Sequence, residues 1–314
     1  MSKTPPARLT IGTRGSDLAL AQANLVADRL RAAHPDLAAP DAIAITVIKT
    51  TGDRVQDRPL AEIGGKGLFT KEIEEALLDD RIDLAVHSMK DLETRLPEGL
   101  AIAATLERED PRDVLLAKTA TSITELPEGA VVGTASLRRG AQILAARPDL
   151  EVVPFRGNVN TRIAKLDAGE VDATILALAG LRRLGMSEYE SRAIPVTEML
   201  PAVAQGAIGL ECRADDETTR TCLAALDHLR TSRAVAAERA LLAALDGSCR
   251  TPIAALATVT GEALSLEALI AMTDGSTLHR DRRAGQSQDA EAIGTAAGEA
   301  LRAAGGPGFF DTDH

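Results

Sequence analysis

Three groups of residues in this chain could do chemistry. Lys90 and Asp91 close the apolar run Leu84-Ala85-Val86-His87-Ser88-Met89. A carboxylate beside an ammonium at the mouth of a buried strand can steady a developing cation or move a proton. The same pair at a solvated strand end does neither, and the residue types fit both readings. Arg138 and Arg139 open a helix behind the cap candidate Ser136, and Arg156 and Arg162 follow at the ends of neighbouring elements. Cations are unfavourable at a helix N-terminus. The placement suits a solvated surface, or a bound anion that the helix N-terminus is already fitted to hold. Cys249 lies in Asp246-Gly247-Ser248-Cys249-Arg250, where a neighbouring cation favours the nucleophilic thiolate. The alternative is a structural thiol.

Composition narrows the partners. The chain of 314 residues carries a formal net charge of -11, with 45% hydrophobic residues, no Trp, one Tyr and four Phe. Stacking platforms for single-stranded nucleic acid are scarce. The acidic balance disfavours a general binder of nucleic acid or anionic membrane, so any anion site is local. The basic residues are biased to arginine, which grips carboxylate or phosphate bidentately. Three cysteines without a C-x-x-C pair make neither a disulfide framework nor a zinc site. Cys212 and Cys222 read as small buried hydrophobes. The start MSKTPPARLTIGT lacks a secretory apolar core, and no run reaches transmembrane length, so the expectation is a cytoplasmic protein.

The elements that must position these residues come in an internal repeat. Leu9 to Thr13 reads as a strand, Leu18 to Ala33 as a helix and Ile43 to Ile48 as a second strand. Ile11-Gly12-Thr13 corresponds to Val132-Gly133-Thr134, and His34-Pro35-Asp36-Leu37 to Arg147-Pro148-Asp149-Leu150. The helix Lys71 to Asp80 leads to a strand running from Leu84 to Asp91. In the second copy, Arg162 to Gly169 leads to a strand from Val171, with Ala179-Gly180 where the first copy has Lys90-Asp91. Alternating strands and helices predict parallel βαβ units and ligand binding at the carboxyl ends of the strands. Leu200 to Glu211 could return the chain to the first copy as a late strand. From about Asp227 the pattern becomes α+β: a helix Arg233 to Leu245, runs at Ile253–Val259, Leu264–Ile270 and Thr277–Arg283, and a last helix Glu291 to Ala304. The glycine-rich stretch Ala61 to Phe69 lacks phosphate-loop spacing, and no G-x-G-x-x-G is present, so a nucleotide site is not supported. That stretch suits a mobile loop over the ligand.

Taken together, the stretches IGTRGSDLALAQ, GGKGLFTKEIE, DLAVHSMKDL, EREDPRD, VGTASLRRGAQ, FRGNVNTR, ILALAGLRRLG, LPAVAQGAIGLECR and DGSCRTPIA resemble the porphobilinogen deaminase (hydroxymethylbilane synthase) family. They are long, collinear and spread over almost the whole chain. Two departures are Ala204 and Ser248, at positions where the family often has glycine.

The resemblance implies an α/β fold. It has two doubly wound βαβ domains like periplasmic-binding-protein lobes, 1–106 with 207–224 and 107–206, and a small α+β domain, 225–314. It implies a transferase that joins four porphobilinogen molecules head to tail, releases ammonia at each step and yields hydroxymethylbilane. A dipyrromethane cofactor would be attached by a thioether to Cys249, and no metal would be needed. Asp91 would be the catalytic carboxylate. Each pyrrole carries an acetate and a propionate, and Arg14, Ser16, Arg138, Arg139, Arg156, Arg162 and Arg183 would bind these carboxylates. Ser88, Lys90, Thr134 and Ser136 would help hold cofactor or substrate. Hinge movement near 105–112 and 200–207 would accommodate the growing chain, and the protein would be a monomer with a small-molecule substrate and no nucleic-acid or membrane partner. The rival reading is a noncatalytic two-lobed module binding a polycarboxylate anion.

Overall fold

A computed structural model describes residues 8–54, 67–247 and 251–309. The chain forms two compact units. The first takes the described residues up to Arg108 together with Ala207–Ser232; the second takes Glu109–Gly206 and the chain from Arg233 onward.

The first unit opens with β1 (Leu9–Thr13) and α1 (Asp17–Ala33). Ser16 caps α1 by accepting from Ala19 N at 3.3 Å, and the apolar face Ala19, Ala23, Val26 and Leu30 is buried. Next come β2 (Ile43–Val47), the short α2 (Thr51–Arg54), α3 (Lys71–Leu78), β3 (Leu84–Ser88) and β4 (Leu100–Thr105). The sheet order is β2, β1, β3, β9, β4, where β9 is Ile208–Arg213. β9 thus returns from beyond the second βαβ segment, as the stretch from Leu200 suggested. It lies antiparallel between β3 and β4. A helix α7, Glu217–Ala224, follows it.

The second unit contains β5 (Asp113–Ala117), β6 (Val131–Gly133), α4 (Leu137–Ala146), β7 (Glu151–Val153), α5 (Val159–Asp167), β8 (Ala173–Ala177) and α6 (Leu178–Arg183). Its sheet order is β5, β8, β6, β7. The internal repeat is exact at the level of register. In the first sheet Ile11 pairs with Ile45 and Leu84; in the second Val132 pairs with Val152 and Ala173. The matched glycines allow close packing, since a Cβ on Gly12 would stand 2.2 Å from Ile82 Cδ1 and one on Gly133 2.6 Å from Phe155 Cγ. Each parallel trio is extended by an antiparallel strand, β9 or β5, so the sheets are mixed.

The same unit carries α8 (Leu229–Ala244, whose first turn belongs to the other unit), β10 (Ile253–Thr260), β11 (Ala263–Ala271), β12 (Leu278–Gln286) and α9 (Ala290–Gly305). The three strands make an antiparallel sheet. Glycines on α9 let it approach α8 closely: a Cβ on Gly294 would lie 2.0 Å from Ala237 O. Ala254, Leu269 and Ala271 of the sheet share a buried cluster with Ala141 of α4.

Candidate functional site

The first unit holds a recess at the carboxyl end of β3, lined by Arg14, Ser16, Gln22, Phe69, Ser88 and Asp91 among others. β1 delivers Arg14 and Ser16 just past its last residue, and the N-terminus of α1 starts there. Arg14 stacks on the Phe69 ring, 4.1 Å from its centroid. Its Nε donates to Asp53 Oδ1 at 3.1 Å, and its Nη2 also contacts that carboxylate. Burial pushes the Asp53 carboxyl up, but Arg14 and the Thr50 hydroxyl outweigh it and hold it below its ordinary value. Gln22 donates from Nε2 to Ser88 Oγ at 2.9 Å, joining α1 to the end of β3.

The expected strand from Leu84 to Asp91 ends earlier. β3 stops at Ser88, and Met89–Asp91 form a 3-10 turn. The turn leaves Lys90 half-buried and Asp91 exposed. Among the described residues nothing hydrogen-bonds or ion-pairs with the Asp91 carboxylate. The correspondence between copies holds, since β8 ends at Ala177 and is followed by α6, which carries Ala179 and Gly180.

In the second unit the arginines divide. Ser136 caps α4, accepting from Arg139 N at 3.4 Å, and Thr134 Oγ1 accepts from Ser136 N at 3.1 Å. Arg138 and Arg139 are each 5% exposed and straddle the fully buried Asp113 at the start of β5. Arg138 Nη1 lies 2.8 Å from Asp113 Oδ2 and Arg139 Nη2 2.8 Å from Oδ1. Arg138 also donates to Leu200 O at 2.7 Å and Arg139 to Ile175 O at 2.9 Å. The sequence left a solvated surface or a bound anion to compensate these cations. The structure supplies a third answer, a carboxylate from the chain itself. Burial pushes Asp113 up, yet the two guanidinium groups hold it far below the usual carboxylate range.

Arg162 is different. Its Nε donates to Gly157 O at 2.9 Å, and Asn158 caps its helix α5 by accepting from Thr161 N at 2.8 Å. Partial burial and the positive charges of Arg139 and Arg156 push its guanidinium down to about 10. Three cations thus crowd one corner, an arrangement that favours anions. Arg183, at the end of α6, points one Nη2 at Gly206 O, 2.6 Å away, on the segment that leads back to β9.

Cys249 and residues 61–66 of the glycine-rich stretch lie outside the described residues. Cys212 is buried and its thiol is pushed up to about 11 by desolvation first; Cys222 is raised for the same reason. Neither suits a nucleophile. Sequence reasoning missed Asp53, Phe69, Asp113 and Gln22 as members of these sites. Gln22 was legible as a polar residue on the apolar face of α1. Asp113, at the end of EREDPRD, looks like one more loop acid until the fold buries it. Among the described residues no group of His, Cys, Asp and Glu could hold a metal ion, and no helix is long and apolar enough to cross a membrane.

The periplasmic aliphatic sulphonate binding protein of Escherichia coli is similar in structure with a TM-score of 0.39 at 16% identity, covering 76% of this chain and 70% of that one. Porphobilinogen deaminase of Paracoccus denitrificans is 57% identical over 307 residues, covering 98% of this chain and 97% of the relative. The chloroplastic porphobilinogen deaminase of Oryza sativa subsp. japonica is 55% identical over 307 residues, covering 97% and 86%. Residues 9–221 match the porphobilinogen deaminase dipyromethane cofactor binding domain, and residues 232–303 match that family's C-terminal domain. With both of its domains present in order, the chain belongs to the porphobilinogen deaminase family of transferases.

Proposed function

We propose that this chain is a hydroxymethylbilane synthase, in which Asp91 is the catalytic carboxylate and the arginines hold the carboxylates of the pyrroles. The observation that carries the reading is the exposed Asp91 carboxylate, without a partner among the described residues, in one recess with Arg14, Ser16 and Ser88. An uncommitted carboxylate there can steady the cation that develops on porphobilinogen as ammonia departs. It can also carry a proton between the leaving amine and the pyrrole nitrogen. Arg14 is fixed by Asp53 and Phe69 and is available to orient a substrate carboxylate.

The second unit fits a dipyrromethane. Arg138 Nε is buried without a hydrogen-bond partner, and Arg162 is crowded by two other cations, so this corner is short of negative charge. Ser136, Arg138, Arg139, Arg156 and Arg162 would hold the acetate and propionate groups, with Thr134 keeping the cap in place. Lys90, in the first unit, and Arg183 would add further contacts. When bound, the cofactor supplies the terminal pyrrole carbon to which the first substrate is joined. Cys249, in the segment matching the family's C-terminal domain, would anchor it by a thioether.

The acidic chain is expected to act in the cytoplasm as a monomer, with no metal, nucleic acid or membrane as partner. Mass measurement under denaturing conditions tests the reading. Active protein should carry a covalent excess over the 32.9 kDa chain that is absent from Cys249→Ser. A bare polypeptide from active protein would refute it.

A further inference from the structure

In the second unit β5 runs antiparallel to β8, with Asp113 opposite Ala177 and Ala117 opposite Ala173. The end of β5 therefore lies at the amino end of β8. Thr134 and Ser136 follow the carboxyl end of β6, which is parallel to β8, and so stand at the other end of the sheet. At the end of β5 opens a cavity of about 210 Å³. Its apolar wall is Leu116, Ile163 and Leu166, members of one hydrophobic cluster. Tyr189 and Arg192, from the 3-10 turn Ser187–Arg192, line another side. A bridge between Val114 and Ala193, and a bond from Ile194 N to Asp113 O at 2.8 Å, fix the exit of that turn along β5.

Two cations meet at this cavity. Lys118 Nζ donates to the carbonyl of Asp167, the last residue of α5, at 2.9 Å, and Arg192 Nη1 donates to Ala117 O at 2.7 Å. Both bonds have a structural use, since a cation suits a helix C-terminus and Arg192 ties the turn to β5. Each takes up one donor, where an ammonium has three and a guanidinium five. Among the described residues neither cation has a carboxylate partner, and the Tyr189 hydroxyl has no hydrogen-bond partner. Glu190, two residues before Arg192, is engaged by Arg182 instead. Asp167 is the one acid lining the cavity, so two cations face a single carboxylate there.

We propose that this cavity is a binding site for a small monocarboxylate with an apolar body. Lys118 and Arg192 hold the carboxylate through their spare donors, and the body lies on Leu116, Ile163 and Leu166. One anionic end and a short hydrocarbon match two cations beside an apolar wall. Inorganic phosphate would leave that wall uncovered and set its further charge against Asp167. The site needs no part of the catalytic reading of Asp91.

Tyr189 is the one tyrosine of a chain without Trp, so tyrosine fluorescence reports on this cavity and on no other carboxylate site. The test titrates cyclohexanecarboxylate, which does not absorb in the tyrosine band, into the full-length, cofactor-loaded enzyme. A saturable change should appear, with a dissociation constant on the order of a millimolar. Cyclohexylmethanol has a similar body without the charge and should bind at least about tenfold more weakly. Arg192→Gln should weaken the carboxylate by a similar factor. Lys118 is exposed, so Lys118→Gln carries the same test should Arg192→Gln not fold. The proposal is overturned by a signal that does not saturate at concentrations about tenfold above that constant. Equal affinity for the two compounds, or undiminished affinity in folded Lys118→Gln, overturns it as well.

Discussion

Arg139 Nη2 lies 2.8 Å from Asp113 Oδ1, and both side chains are buried. Arg138 completes the arrangement on the other carboxylate oxygen. The positive start of α4 is therefore held within its own unit by a carboxylate of the chain.

Replacing Asp113 by Asn should destabilise the protein by about 3–5 kcal/mol, because it leaves two guanidinium groups buried without their counter-charge. Its depressed carboxyl contributes stability above the unfolded-state value of about 4, and that contribution is lost as pH falls below it toward the folded-state value. Urea unfolding as a function of pH should show the wild type weakening in acid more steeply than Asp113→Asn. Parallel curves would contradict the assignment.

Glu74 has the opposite sign. Its carboxyl is raised, so its protonated form is favoured in the folded state and the stability it contributes is lost as pH rises through the folded-state value. Glu74→Gln keeps the neutral form at every pH. It should match or exceed the wild type in stability at neutral pH, with the gap closing in acid. A variant that is less stable at neutral pH than in acid, relative to wild type, would count against this.

Ala204 adopts φ 57, a left-handed conformation that costs a residue with a Cβ about 1–2 kcal/mol. Its N–H is held by Glu238 Oε2 at 2.5 Å, which fixes it there. Ala204→Gly should therefore be neutral or stabilise by up to about 1 kcal/mol despite the added chain entropy of glycine. Thermal unfolding that places the variant well below the wild type would disagree.

Arg14→Lys keeps the charge but loses the planar grip on Asp53 and the stack on Phe69. It should lower kcat/KM for porphobilinogen on the order of tenfold with little change in melting temperature. Kinetics identical to wild type would remove Arg14 from the substrate site.

Much of this was legible in the chain. The repeat of Ile11-Gly12-Thr13 in Val132-Gly133-Thr134 survives as identical strand registers, because apolar strands flanked by glycine leave one way to pack against the next helix. Asp91 stood out because its counterpart is Gly180. Periodicity did not reveal the end of β3 at Ser88, since a one-turn 3-10 segment carries no pattern of its own. It also missed β4 and β5, short apolar runs whose strand character depends on pairing with β9 and β8. The burial of Arg138, Arg139 and Asp113 was hidden for a different reason. A charge reads as surface until a distant segment brings its partner, and here the partners are separated by more than a helix.

In the proposed function Asp91 carries the chemistry while other groups hold the ligands. The most direct measurement is ammonia release from porphobilinogen by Asp91→Asn, alongside its denaturing mass and melting curve. The expected result is a folded protein whose turnover falls by at least about a hundredfold. Ammonia release near the wild-type rate by folded Asp91→Asn would contradict it.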